Sequence, residues 1–122
     1  MSKILIVDDE KNIRSLYEQE LLEEGYQTVL ASDGKECLEK IRTESPDLVI
    51  LDIRMPRMDG IEAIGRIIEL NKSLPIILNT GYSVYKDNFM CWAADAYVVK
   101  SHKLEDLKSS IKEALKRKKV GQ

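Results

Sequence analysis

The stretch over 47–60 constrains the fold more than any other part of the sequence. Its apolar run, Leu48–Leu51, is short and rich in branched side chains, which predicts a strand buried on both faces. The run ends at Asp52, and Pro56 followed by an Asp-Gly pair then marks a loop. Taken alone, Asp52 fits the simple role of an acid that caps the next turn. However, open parallel sheets bind ligands outside the carboxyl ends of their strands, so Asp52 is also a candidate for chemistry.

Apolar runs and amphipathic segments alternate along the rest of the chain. The other runs predict strands over 4–7, 26–31, 75–78 and 95–99. Apolar spacings of three and four predict helices over 11–24, 35–43 and 61–70, a weaker one over 83–94, and a last one from 104 to 115. Five such alternations predict an α/β fold, a doubly wound five-stranded parallel sheet with helices on both faces.

The predicted helices are expected to turn their apolar side chains toward this sheet. For the first three helices these side chains are Ile13, Leu16, Tyr17, Leu21, Cys37, Leu38, Ile41, Ile61, Ile64, Ile67, Ile68 and Leu70. Gly25 suits the position after the end of the first helix, where a left-handed conformation is common.

Length and composition exclude several classes of protein. With 122 residues the chain is expected to form a single domain over 1–122, with no effector domain in this chain. The net charge of -2 argues against a nucleic-acid partner, and no apolar stretch is long enough for membrane insertion. Cys37 and Cys91 do not form a disulfide framework, so we interpret both as free thiols in a reducing cytoplasm.

Polar side chains stand at the predicted carboxyl ends of four strands. They are Asp8 and Asp9 after the first strand, Asp52 after the third, Thr80 after the fourth and Lys100 after the fifth. Three carboxylates in one cleft repel each other and favour a hard divalent cation, Mg²⁺ or Mn²⁺. With the cation bound, Asp52 can attack a phosphoryl group as a carboxylate nucleophile, while Lys100 and the Thr80 hydroxyl hold the phosphoryl oxygens.

At these landmarks the whole chain resembles the receiver domains of two-component response regulators, of the CheY-like, stand-alone type. The landmarks are Val7-Asp8-Asp9, Leu51-Asp52 with Met55-Pro56 and Asp59-Gly60, Thr80-Gly81, and Tyr97 with Lys100. The resemblance implies a flavodoxin-like sheet in the order 2-1-3-4-5. It also implies a protein that accepts a phosphoryl group from a phosphohistidine onto an aspartate and then changes its partner-binding face.

The resemblance implies a role for each residue of the phosphorylation site. Asp52 would be the phosphoacceptor, and Asp9 and Asp52 would bind Mg²⁺ directly, together with the backbone carbonyl of Arg54. Asp8 would act on the metal through a bound water. Lys100 would pair with the phosphoryl oxygens.

The resemblance further implies a switch and its partners. Thr80 would move to the phosphoryl group, and the Tyr97 ring would turn inward behind it. A sensor histidine kinase or a histidine phosphotransfer protein would supply the phosphoryl group. An output protein would bind the face formed by the fourth predicted helix, the fifth strand and the fifth predicted helix. The receiver would catalyse its own phosphorylation and slow autodephosphorylation, and the large side chains of Arg54 and Tyr82 would obstruct the hydrolytic water.

The sequence departs from the family pattern at Ser101, where proline usually follows the lysine. Because a non-proline cis bond costs about 2.5–4 kcal/mol, we expect a trans peptide between Lys100 and Ser101. His102 is expected to be an incidental loop residue.

Three other functions compete with this interpretation. A phosphatase of the haloacid-dehalogenase type would have an acid where Arg54 stands, and a nucleotide- or flavin-binding module would meet repulsion from Asp8-Asp9-Glu10. The third is a receiver that works without phosphorylation. The complete set of site residues argues against it.

Overall fold

A computed structural model describes residues 2–52, 60–80, 96–99 and 104–120, with the backbone alone at 60, 61, 80, 96–99 and 118–120. The strands are β1 (Lys3–Val7), β2 (Gln27–Ala31), β3 (Leu48–Leu51), β4 (Ile76–Thr80) and β5 (Ala96–Val99). The helices are α1 (Lys11–Glu23), α2 (Gly34–Glu44), α3 (Gly60–Leu70) and α4 (Glu105–Val120).

All the strand pairs are parallel, and the sheet order is β2-β1-β3-β4-β5. This order confirms the doubly wound, flavodoxin-like α/β fold that the sequence predicts. The inner strands β1 and β3 are buried on both faces, as their continuous apolar runs require. Val7 pairs with Leu51 at the carboxyl ends of these two strands, so the residues that follow them lie side by side.

Helix termini agree with their local sequence. α1 ends before Gly25, which has a φ of +93°, a conformation that side chains with a Cβ rarely adopt. α2 begins after Asp33, whose Oδ1 accepts a hydrogen bond from the backbone N–H of Glu36 at 2.9 Å. Glu36 in turn accepts from the backbone N–H of Ser32, the residue before Asp33, so both acidic side chains cap backbone N–H groups at the start of this helix.

Two core layers flank the sheet. The α2–α3 layer contains Leu5, Val7, Ala31, Cys37, Ile41, Val49, Leu51, Ala63, Ile64, Ile67, Leu74, Ile76 and Leu78. The α1–α4 layer contains Ile4, Ile6, Tyr17, Leu21, Leu48, Ile50, Ile77, Leu107, Ile111 and Ala114. Alternate residues of β1 and β3 point into opposite layers, as the pleat of a strand requires.

Some sequence predictions differ from the structure. β4 begins one residue later and ends two residues later than the predicted 75–78, because Asn79 and Thr80 still pair with β5. Leu16 and Leu70, expected to face the core, are 46% and 44% exposed, because they lie at the edges of their apolar stripes. The predicted helix over 83–94 lies outside the described residues. Within the described part of the chain, no helix is long and apolar enough to cross a membrane.

Candidate functional site

The carboxyl ends of β1 and β3 bring two predicted acids together. The backbone N–H of Asp52 donates to the carbonyl of Val7 at 3.1 Å, which extends the β1–β3 ladder by one residue. Asp8 and Asp52, each the first residue after its strand, therefore stand next to each other. They are 2% and 6% exposed, unusual for carboxylates, which are rarely buried without partners.

Three carboxylates cluster where β1 passes into α1. Oxygens of Asp8, Asp9 and Glu10 all lie within 4.8 Å of one another, and Asp9 and Glu10 are exposed while Asp8 is buried. Asp8 Oδ1 also accepts a hydrogen bond from the backbone N–H of Glu10 at 2.9 Å, which fixes the turn. Such a set of oxygen donors suits a hard divalent cation. Asp52, predicted as a direct ligand, lies beside this cluster at the next strand end and not within it.

The sequence predictions did not include Arg14 in the site. Its guanidinium Nη1 donates a hydrogen bond to the backbone carbonyl of Asp8. The contact ties the first turns of α1 to the loop that carries the acids. It also brings a positive charge close to a group of negative charges.

A second missed contact lies at the end of β4. The side-chain Nδ2 of Asn79 donates to the hydroxyl of Tyr17 at 2.7 Å, and both residues are buried, at 3% exposure each. A signal for it was present, because an Asn inside an otherwise apolar strand needs a buried hydrogen-bonding partner. Tyr17, on the inner face of α1, supplies the hydroxyl.

The remaining predicted site residues are described only in part or not at all. Thr80 is the last residue of β4 and pairs with Val99, and Tyr97 lies in β5 opposite Leu78. Lys100, Arg54 and Tyr82 lie outside the described residues, as does His102. The peptide between Lys100 and Ser101, predicted to be trans, also lies outside them.

The thiol of Cys37 takes no part in this site. It is buried in the α2–α3 layer, and burial, with a smaller effect from the Asp33 charge, raises its pKa to about 12. A thiol with this pKa stays protonated at neutral pH, which makes it a poor nucleophile and metal ligand. Cys91 lies outside the described residues.

Comparison with known proteins shows the family of this chain. Residues 4–112 match the family described as "Response regulator receiver domain". The alkaline phosphatase synthesis transcriptional regulatory protein PhoP of Bacillus subtilis is 35% identical over 120 residues, covering 97% of this chain and 50% of that protein. The chain therefore spans about half the length of this curated relative.

Two solved structures share the fold closely. The response regulator TrrA from Thermotoga maritima, crystallised in complex with Mg²⁺-BeF, is 48% identical with a TM-score of 0.91. The superposition covers 93% of this chain and 99% of that one. A complex of the histidine kinase ThkA with TrrA gives 49% identity and a TM-score of 0.89, covering 94% and 99%. The family match, these likenesses and the paired strand ends at Asp8 and Asp52 lead to one conclusion: this chain belongs to the response regulator receiver domain family.

Proposed function

We propose that this chain is a phosphorylation-dependent receiver that takes a phosphoryl group from a phosphohistidine onto Asp52. The observation that supports this most is the burial of Asp52 beside Asp8, at adjoining strand ends next to the acidic cluster of Asp8, Asp9 and Glu10. Asp52 thus stands at the edge of the sheet, outside the carboxyl ends of the strands, where open parallel sheets bind their ligands.

In the proposed reaction, a carboxylate oxygen of Asp52 attacks phosphorus and forms an O–P bond. The bond from phosphorus to the imidazole nitrogen of the donor histidine breaks, and that nitrogen keeps the electron pair and later takes a proton from solvent. Asp8, Asp9 and Asp52, with the backbone carbonyl of Arg54, would hold Mg²⁺. When bound, Mg²⁺ supplies positive charge that offsets the repulsion between the carboxylates and the phosphoryl oxygens.

Three further residues complete the proposed site. Lys100 pairs with the phosphoryl oxygens, and the Thr80 hydroxyl donates to one of them. Thr80 and Tyr97 act as the switch pair that shifts the population between two packings of the domain. Arg54 and Tyr82 shield the phosphoryl group from water, which makes the phosphorylated state long-lived.

The proposed partners are a histidine kinase or a histidine phosphotransfer protein and an output protein. The kinase is supported by the relative TrrA, which was crystallised in complex with the histidine kinase ThkA. We assign the output to the face formed by the predicted helix over 83–94, β5 and α4. We infer that 1–122 acts as a single receiver domain, in the cytoplasm, where a free thiol such as Cys37 is expected.

The assignment of Asp52 is tested with a small phosphodonor. The wild-type protein, incubated with acetyl phosphate and Mg²⁺, should gain one acid-stable, base-labile phosphoryl group and release acetate. Asp52→Asn should abolish the adduct, because an amide is not a nucleophile. The matched control is Asp47→Asn, at the opposite end of β3, where the side chain accepts a hydrogen bond from the backbone N–H of Lys3 at 2.8 Å. An adduct that persists in Asp52→Asn, or disappears in Asp47→Asn, would contradict the assignment.

A further inference from the structure

The hydrogen bond between Tyr17 and Asn79 joins two elements that meet at the site. Tyr17 lies in the middle of α1, and Asn79 is the next-to-last residue of β4. The bond is 2.7 Å long and is excluded from water. A short, buried and directional contact of this kind restricts relative movement more than apolar packing does.

Asn79 directly precedes Thr80, to which the proposed function assigns a hydrogen bond to the phosphoryl group. The two residues pair with Val98 and Val99 of β5 and together complete the strand. Anchoring the Asn79 carboxamide on α1 therefore fixes the backbone from which the Thr80 hydroxyl extends.

The other end of this link is attached as well. Three residues before Tyr17, Arg14 donates to the carbonyl of Asp8. Three residues after it, Glu20 accepts from Lys108 of α4 at 2.9 Å. α1 thus connects the backbone of the acid loop, the end of β4 and the last helix through contacts on three successive turns. The helix therefore links the end of β4 to the loop that carries the acids, in addition to the pairing of β4 with β3.

We propose that Tyr17 and Asn79 are positioning residues for the phosphorylation of Asp52. Their hydrogen bond holds the end of β4 at the distance from β1 and β3 at which the Thr80 hydroxyl meets the transferring phosphoryl group. This proposal rests on the function proposed above. Neither residue touches the phosphoryl group, so their effect is on geometry and passes through the backbone of Thr80.

The size of the effect follows from how steeply phosphoryl transfer depends on alignment. A misplacement of about 1 Å can cost roughly 100-fold in rate. A β4 end released from α1 but still paired with β5, in a strand that pairs with β3 up to Leu78, moves less than that. We therefore expect a decrease of about tenfold in the rate at saturating phosphodonor. The donor concentration for half-saturation should stay unchanged, since donor binding does not involve these side chains.

Three variants distinguish an effect on the position of the β4 end from an effect on stability alone. Tyr17→Phe and Asn79→Leu each break this buried hydrogen bond and keep one of its two polar groups, which destabilises the fold. The double variant removes both polar groups with little change of shape, so its stability should recover. Tyr26→Phe is the matched control, because Tyr26 packs against the same core layer as Tyr17.

Each protein is measured in three ways: urea unfolding, phosphorylation of Asp52 by acetyl phosphate with Mg²⁺, and the Thr80 amide resonance with and without Mg²⁺ and beryllofluoride. We expect the double variant to unfold like the wild type, yet to be phosphorylated about tenfold more slowly and to show a smaller change at Thr80. Tyr26→Phe should match the wild type in rate.

Two outcomes would overturn the proposal, and they differ from each other. If the rate recovers together with stability in the double variant, the bond is only structural and the proposal fails alone. If the wild type forms no adduct at Asp52, the proposed function fails and this inference falls with it.

Discussion

The core layer between the sheet and helices α2 and α3 is built from apolar side chains and one thiol, whereas the layer under α1 and α4 contains the buried Tyr17–Asn79 hydrogen bond. The α1–α4 side also carries ion pairs that cross between its helices. Lys108 lies 2.9 Å from Glu20, and Lys112 lies 3.9 Å from Glu24.

The two layers show that holding a helix against the sheet and fixing its position depend on different interactions. Apolar packing attaches α2 and α3 well, but it is non-directional and tolerates small shifts. A hydrogen bond adds little net stability, yet it specifies one distance and one direction. The directional contacts occur on the side where α1 meets the acid loop and the end of β4, which is where the proposed chemistry needs accuracy.

The largest expected effect on stability comes from the apolar layer. Ile64→Ala in α3 leaves a cavity at a fully buried position and should lower the free energy of unfolding by about 2–5 kcal/mol. Ile111→Ala in α4 is the matched control on the other face and should cost a similar amount. Urea unfolding measures both. The phosphorylation rate of the folded Ile64→Ala protein should be unchanged. A tenfold decrease of this rate would contradict the proposed difference between the two layers.

An intermediate effect is expected from the thiol in the α2–α3 layer at alkaline pH. The folded pKa of Cys37, about 12, lies above its ordinary value of 9.0, so the folded chain keeps a proton that the unfolded chain loses. The free energy of unfolding should therefore fall as pH rises from 9 toward 12, by up to about 1.4 kcal/mol per pH unit. Cys37→Ala should flatten this slope relative to the wild type. Equal slopes in the two proteins would show that the thiol is not protected in the folded state.

The smallest effect should come from the ion pair between α1 and α4. The hydrogen bond with Glu20 raises the pKa of Lys108. The contribution of this ion pair to stability is therefore present below the ordinary lysine pKa and is lost as pH rises through the pKa of the folded state. Glu20→Gln should lower the thermal midpoint only slightly, and added salt should remove the difference by screening. Gln19→Glu, at a neighbouring exposed position, serves as a control for surface charge. A large decrease of the thermal midpoint that persists in salt would contradict the interpretation of this pair as a weak surface contact between the two helices.

The sequence predicts the fold well where one physical rule decides the outcome. The apolar run Leu48–Leu51 coincides with β3, and Gly25 ends α1 in the left-handed conformation. The sequence predicts an end of β4 at residue 78, which is too early. Asn79 and Thr80 are polar, and strand patterning assigns such residues to a loop. A buried Asn is acceptable there because it has a tertiary partner, Tyr17, far away in the chain.

Within the candidate site, the sequence predicted the residue types and the adjacency of two strand ends, but not the hydrogen bonds around them. Asp8 and Asp52 are brought side by side as expected, because parallel pairing aligns strand ends. The role of Arg14 was not predicted. The sequence pattern of a basic residue at a half-exposed helix position is the same whether its side chain contacts solvent or a backbone carbonyl. The assigned roles of Lys100, Arg54 and Tyr82 stay predictions.

The pairing of β1 with β3 has a consequence for protein synthesis and quality control. Asp8 and Asp52 are separated along the chain by α1, β2, α2 and β3, and they meet only when β1 and β3 have formed their ladder. A nascent or partly unfolded chain has the same aspartates scattered on a flexible polymer, where no cleft gathers them. Such a chain lacks an assembled form of the proposed acceptor site, so competence for the proposed phosphorylation arises only when β1 has paired with β3.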